Sequence, residues 1–169
     1  MRRSGILAAV LAALLLPSFG AAAENLKLND HLNFDRNGWQ GFLITGDDWN
    51  VGVEPGVPNL IFFYADYCFN AKRVARSVVD LYGKYHGRVH FVPVDVITIL
   101  NPERRDLAKT YYHGIFPHVT LLDENGVVVL DYTGELNKDI LEGWIEAALR
   151  VEPRQTPPSA LAARIPSGK

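Results

Sequence analysis

A second cysteine is missing from this 169-residue chain; Cys68 stands alone. An internal disulfide is therefore excluded, and the thiol is free, joined to an outside partner, or packed as an apolar filler. A basic cluster is missing too. The 17 Lys and Arg residues stand against 19 Asp and Glu, a formal net charge of −2, which gives no footing for nucleic acid. Past the N-terminus there is no apolar run approaching the roughly 20 residues needed to span a bilayer.

What is present begins with MRRSGILAAVLAALLLPSFGAAAEN. Arg2 and Arg3 precede an apolar run from Gly5 to Leu16, which Pro17, Ser18 and Gly20 interrupt. Ala21 and Ala23 then offer small residues before Glu24. This is the layout of a secretory signal peptide over residues 1–23, with an uncleaved N-terminal anchor as the alternative. The absence of a cysteine after the run argues against a lipid anchor. Loss of Arg2 and Arg3 leaves a more acidic mature chain, long enough for one domain with its own core. A periplasmic or secreted location follows, with no membrane span after cleavage.

Residues 24–57 mix short apolar pieces with Gly, Asn and Asp, and predict a strand with or without a short helix. From Pro58 the pattern sharpens. NLIFFY is a continuous apolar run of the kind buried on both faces of a sheet. Val74, Val78, Leu81 and Tyr85 recur at helical spacing. RVHFVPVDV predicts a strand whose Pro93 suits an edge or a bulge. NPERRDLAKTYY predicts a helix capped by Asn101, with Glu103-Arg104-Arg105-Asp106 as a solvated face. HVTLLDENGVVVLDY predicts a hairpin turning at Asn125-Gly126 with positive φ. NKDILEGWIEAAL predicts a last helix burying Ile140, Leu141, Trp144, Ile145 and Ala148. Residues 151–169, with Pro153, Pro157, Pro158 and Pro166, read as a disordered tail. The order strand, helix, strand, helix, hairpin, helix gives an α/β domain over residues 58–150.

Within it, Ala65-Asp66-Tyr67-Cys68-Phe69-Asn70-Ala71-Lys72 follows the first strand, and Ile115-Phe116-Pro117-His118, Asp123-Glu124-Asn125-Gly126 and Thr133-Gly134-Glu135-Leu136 follow in order. These segments resemble the thioredoxin family, above all its exported, membrane-associated members such as those facing the thylakoid lumen. The resemblance covers residues 58–150. It implies a thioredoxin-like fold, a central mixed sheet of four to five strands flanked by helices on both faces. It also implies a cis peptide bond before Pro117 and an extended-peptide groove lined by Tyr67, Phe69, Phe116 and Pro117. Five positions depart from the family. Ala71 replaces the resolving cysteine, Phe62 replaces the buried carboxylate that moves protons, Tyr67 replaces Trp, and Phe69-Asn70 replaces Gly-Pro.

At a helix N-terminus, unpaired N–H groups and the helix dipole favour a thiolate over the free thiol, whose pKa is about 8.5. Lys72 and Arg73 add positive charge there and Asp66 opposes it. Cys68 is thus the candidate nucleophile, and a mixed disulfide on it would need an external thiol for release. His118, next to Pro117, is a candidate base toward that thiol. The leading expectation is monothiol exchange with protein thiols of an exported partner. Two alternatives stand beside it: a redox-inactive binding module using the groove beside Pro117, and a copper-handling protein using Cys68 and His118. No cofactor is implied for the first two. His31, His86, His90 and His113 show no ligand spacing and read as surface residues.

Overall fold

The run NLIFFY forms β3 (Asn59–Tyr64), and all six of its residues are buried. A strand that apolar on both faces is stable only between two other strands and between two layers of helix. In a computed structural model, which describes residues 26–29, 31, 41–46, 52–98 and 102–151, it has both. It pairs in parallel with β4 (His90–Asp95) and antiparallel with β5 (His118–Leu122), and β5 pairs antiparallel with β6 (Val128–Thr133). The sheet order is β4-β3-β5-β6. Pro93 lies opposite Phe62 on β4, an edge strand, where its missing N–H is tolerated.

Helix α1 (Phe69–Tyr85) buries Val74, Val78, Leu81 and Tyr85, the predicted stripe. With α3 (Lys138–Ala148) it covers the sheet face carrying Leu60, Phe62, Val119 and Leu121. Helix α2 (Pro102–Tyr111) covers the other face, where Ile61, Phe63, Val92, Val94 and Ala108 gather. This is the thioredoxin-like arrangement, a mixed four-stranded sheet between helical layers. Ahead of it, β1 (Lys27–Leu28) and β2 (Ile44–Thr45) form a separate two-residue ladder, and Leu26, Leu43 and Ile44 join the α1–α3 core. The expected signal peptide over residues 1–23, the expected Asn101 cap and the expected tail beyond Val151 lie outside the described residues.

Three expectations need correction. On α3, Leu141, Ile145 and Ala148 are buried, but Ile140 and Trp144 are 54% and 40% exposed. The stripe at spacings of four and three leaves their positions one residue off the packing face. On α2, Arg104 is 3% exposed rather than solvated, and it donates to the Pro93 carbonyl. In the hairpin only Gly126 takes positive φ, at 75°. Its N–H bonds the Asp123 carbonyl at 2.9 Å, while the Asp123 carboxylate accepts from the N–H groups of Asn125 and Val127. The turn is thus a longer loop closed by Asp123, with a register shift at Leu121/Leu122.

Candidate functional site

Strand β3 ends at Tyr64, and the Cys68 N–H bonds the Ala65 carbonyl at 3.0 Å, closing a turn that delivers Cys68 to the start of α1. Cys68 is the N-cap residue, with φ −84° and ψ 118°, and its side chain makes no capping hydrogen bond. The thiol is free and half-buried. One turn into the helix, Ala71 is fully buried. On β3, Phe62 is also fully buried and stacks on Tyr64, with ring centroids 5.3 Å apart. Cys68 packs against the core cluster that contains Phe62, Tyr64 and Ala71.

A second loop borders the cysteine. The Phe116–Pro117 peptide bond is cis. The Pro117 carbonyl accepts from the Gly134 N–H at 2.8 Å, which fixes the loop against the turn after β6. Phe116 meets Tyr67 edge to face, with centroids 5.8 Å apart. Tyr67, Phe69 and Ile115 are each about 60% exposed, so the two loops present apolar surface around Cys68. Arg73 sits over the Phe69 ring at 4.7 Å and pairs with Glu135 at 3.0 Å.

A buried polar group flanks the site and was only partly foreseen. Asp66 and Asp95 are both buried, and one carboxylate oxygen of each has no hydrogen-bond partner among the described residues. Burial, then repulsion from Asp95, raises the Asp66 pKa above its ordinary value. Burial also raises that of Asp95, against the opposing N–H groups of Ile97 and Thr98. Arg104 is pushed down to about 10 by the same loss of solvent, and the Tyr64 phenol is raised. The sequence signal for this group was Asp95 at the end of an apolar strand.

His118 is placed differently from expectation. Neighbouring strand residues face opposite ways, and Val119 packs in the α1–α3 core. His118 accordingly lies on the α2 face, fully buried against Phe63 and Tyr112. Its Nδ1 is 2.8 Å from the Thr133 hydroxyl, and its Nε2 lies 3.1 Å from that of Thr120 and 2.9 Å from the Asp131 carboxylate. The groups gathered around it are His113 and Asp131, not Cys68. Burial lowers its pKa, partly offset by Asp131. His113 does reach the surface, but His90 is largely covered and bonds the Gly52 carbonyl at 2.8 Å.

Residues 50–149 match the model of the thioredoxin-like domain family, more than half of the chain. The chain belongs to that family. Among curated relatives, a protein named thiol:disulfide interchange protein TxlA homolog, from Synechocystis sp., is 31% identical over 103 residues. The match covers 61% of this chain and 56% of that relative, so it spans little more than half the relative's length. Among solved structures, a mutant thioredoxin from Halobacterium salinarum is 24% identical, with a TM-score of 0.46 over 57% of this chain and 78% of that one. Mitochondrial thioredoxin 3 from Saccharomyces cerevisiae is 28% identical, with a TM-score of 0.43 over 53% and 77%.

Proposed function

We propose that this thioredoxin-like chain carries out monothiol exchange through Cys68, on extended segments of an exported protein held between Tyr67, Phe69, Phe116 and Pro117. The observation that carries the reading is a free, half-buried Cys68 at the N-cap of α1, bordered by exposed aromatic residues from two loops. The name of the Synechocystis relative supports the same chemistry. The Cys68 thiolate attacks a substrate disulfide, forms a mixed disulfide and releases one substrate thiolate. An external small thiol such as glutathione then attacks the mixed disulfide. It frees Cys68 as thiolate and leaves with the remaining substrate sulfur as a new disulfide. The external thiol is required because Ala71 supplies no internal leaving path. Export by a signal peptide over residues 1–23, to the periplasm or beyond, belongs to this reading. So does a domain over residues 58–150, preceded by the 24–57 extension and followed by the 151–169 tail.

A second reading is a redox-inactive peptide-binding module, favoured by the fully buried Phe62 and Ala71 in the core cluster that Cys68 packs against. Strand addition and side-chain pockets need no sulfur chemistry. Reduction of insulin, followed with and without glutathione, separates the two. Exchange that needs both glutathione and Cys68 supports the first. Binding of reduced, unfolded chains with equal affinity by the parent and Cys68→Ser, without turnover, supports the second.

A further inference from the structure

On the α2 face of the sheet, three side chains converge that the exchange reaction does not use. His118 comes from β5, Asp131 from β6, and His113 from the loop after α2. The two Asp131 carboxylate oxygens each face one imidazole: Oδ1 lies 2.9 Å from His118 Nε2, and Oδ2 lies 2.9 Å from His113 Nε2. The two rings stand edge to face with centroids 5.0 Å apart. One nitrogen or oxygen from each residue falls within 4.8 Å of the others. We propose that His113, His118 and Asp131 form a binding site for a divalent zinc-class metal ion.

The donor set fits that ion. Two imidazoles and a carboxylate suit zinc and its neighbours, and three protein ligands leave a fourth position for water. Zinc–nitrogen and zinc–oxygen distances of about 2.0–2.2 Å put tetrahedral ligand atoms about 3.3 Å apart. Binding an ion therefore asks the two 2.9 Å contacts to open by a few tenths of an ångström and the widest pair of ligand atoms, which lie within 4.8 Å of one another, to close toward that spacing. The two members that must move can do so, because His113 and Asp131 are 57% and 42% exposed. The third is held. His118 is fully buried, and the Thr133 hydroxyl sits 2.8 Å from its Nδ1. That hydroxyl can accept from an Nδ1–H and so leave the Nε2 lone pair for the ion, the outer-shell contact that metal-binding histidines use.

Register explains why the trio forms. His118 pairs with Thr133 and Thr120 pairs with Asp131 across the β5–β6 ladder, so all four share one sheet face. His113 and His118 bracket the loop that carries Ile115, Phe116 and Pro117. An ion held by both would tie that loop at its two ends from behind, on the sheet face away from the core packed around Cys68.

The test is a titration of the purified, chelator-stripped chain with Zn²⁺, and with Co²⁺ as a coloured probe. One equivalent should bind, with visible cobalt absorption that lacks a sulfur-to-metal charge-transfer band. His113→Ala and Asp131→Asn change exposed residues and should keep the fold by circular dichroism. Each should weaken binding at least about 100-fold, and Thr133→Val about 10-fold, the scale of an outer-shell loss. Cys68→Ser and His86→Ala should bind as the parent does. The proposal is overturned by the absence of saturable binding of either ion, by binding that survives both His113→Ala and Asp131→Asn, or by its loss in Cys68→Ser.

Discussion

Tyr67 and Phe116 meet edge to face, their ring centroids 5.8 Å apart and their planes at 87°. One residue precedes Cys68 and the other precedes Pro117, so this contact joins the loop bearing the thiol to the loop bearing the cis proline. Aromatic pairs of this geometry contribute about 0.5–1.5 kcal/mol beyond their burial. Tyr67 is otherwise 60% exposed, which leaves its outer face for a ligand.

Tyr67→Ala should therefore lower stability by only about 0.5–1.5 kcal/mol and act mainly on substrate. Exchange with a protein disulfide such as insulin should slow several-fold, while exchange with oxidised glutathione, too small to span both loops, should hardly change. Equal slowing of both reactions would place Tyr67 in the thiol's own chemistry and not in a peptide groove.

Cys68→Ser should keep the fold and abolish exchange. Cys68 occupies the N-cap of α1 without using its side chain as a cap. Serine is a favoured N-cap residue whose hydroxyl accepts from the N–H groups of the first turn, an effect of about 1 kcal/mol. The variant should unfold in urea at the same or a higher midpoint. A loss above about 2 kcal/mol, the scale of a core truncation, would show that the sulfur is a packing element.

Asp66 gives the chain a pH signature. Burial and the nearby Asp95 raise its folded-state pKa above the unfolded value of about 3.9. The fold thus favours the protonated acid. Its favourable contribution is complete below the unfolded pKa and is lost as pH rises through the folded pKa. Asp66→Asn removes that dependence. Measured by urea unfolding, the stability of the variant relative to the parent should improve as pH rises from about 4 to 7. A difference that is flat across this range, or that moves the other way, would show that Asp66 stays charged in the fold at no cost.

The parts legible in the sequence are those that local pattern dictates. An uninterrupted apolar run has to lie inside a sheet, and NLIFFY does. The Val74–Tyr85 stripe has to face a core, and a proline in a strand has to lie where no ladder bond is needed. Cys68 and Pro117 were legible for a different reason, because short motifs mark them. What could not be read depends on register and on partners distant in sequence. Arg104 looks like a surface residue until Pro93, Asp95 and Tyr64 are brought over it. His118 looks like a neighbour of the thiol until strand alternation turns it to the other face. His113 and Asp131 carry no signal at all until β5 and β6 are aligned. The ladder formed by β1 and β2, two residues to a strand, is too short to show any period.

The missing second thiol gives the sharpest test of the site. Ala71 lies three residues into the helix that Cys68 caps, on the same face and one turn away. Ala71→Cys should bring the two sulfurs within disulfide reach, since Cα separations of about 4.4–6.8 Å are bridged without strain. The position is fully buried, so the reduced variant should lose about 1–3 kcal/mol to crowding. Under mild oxidant, mass spectrometry should show the loss of two hydrogens, and insulin reduction should begin without glutathione. The rate should stay low, because the family resemblance puts Phe62 at the position of a buried carboxylate that moves protons. Adding Phe62→Asp should raise it, at a further loss of stability from a buried acid. Two thiols that both remain free under oxidant would mean that the N-cap geometry of Cys68 does not hold in solution, and the exchange reading would fall with it.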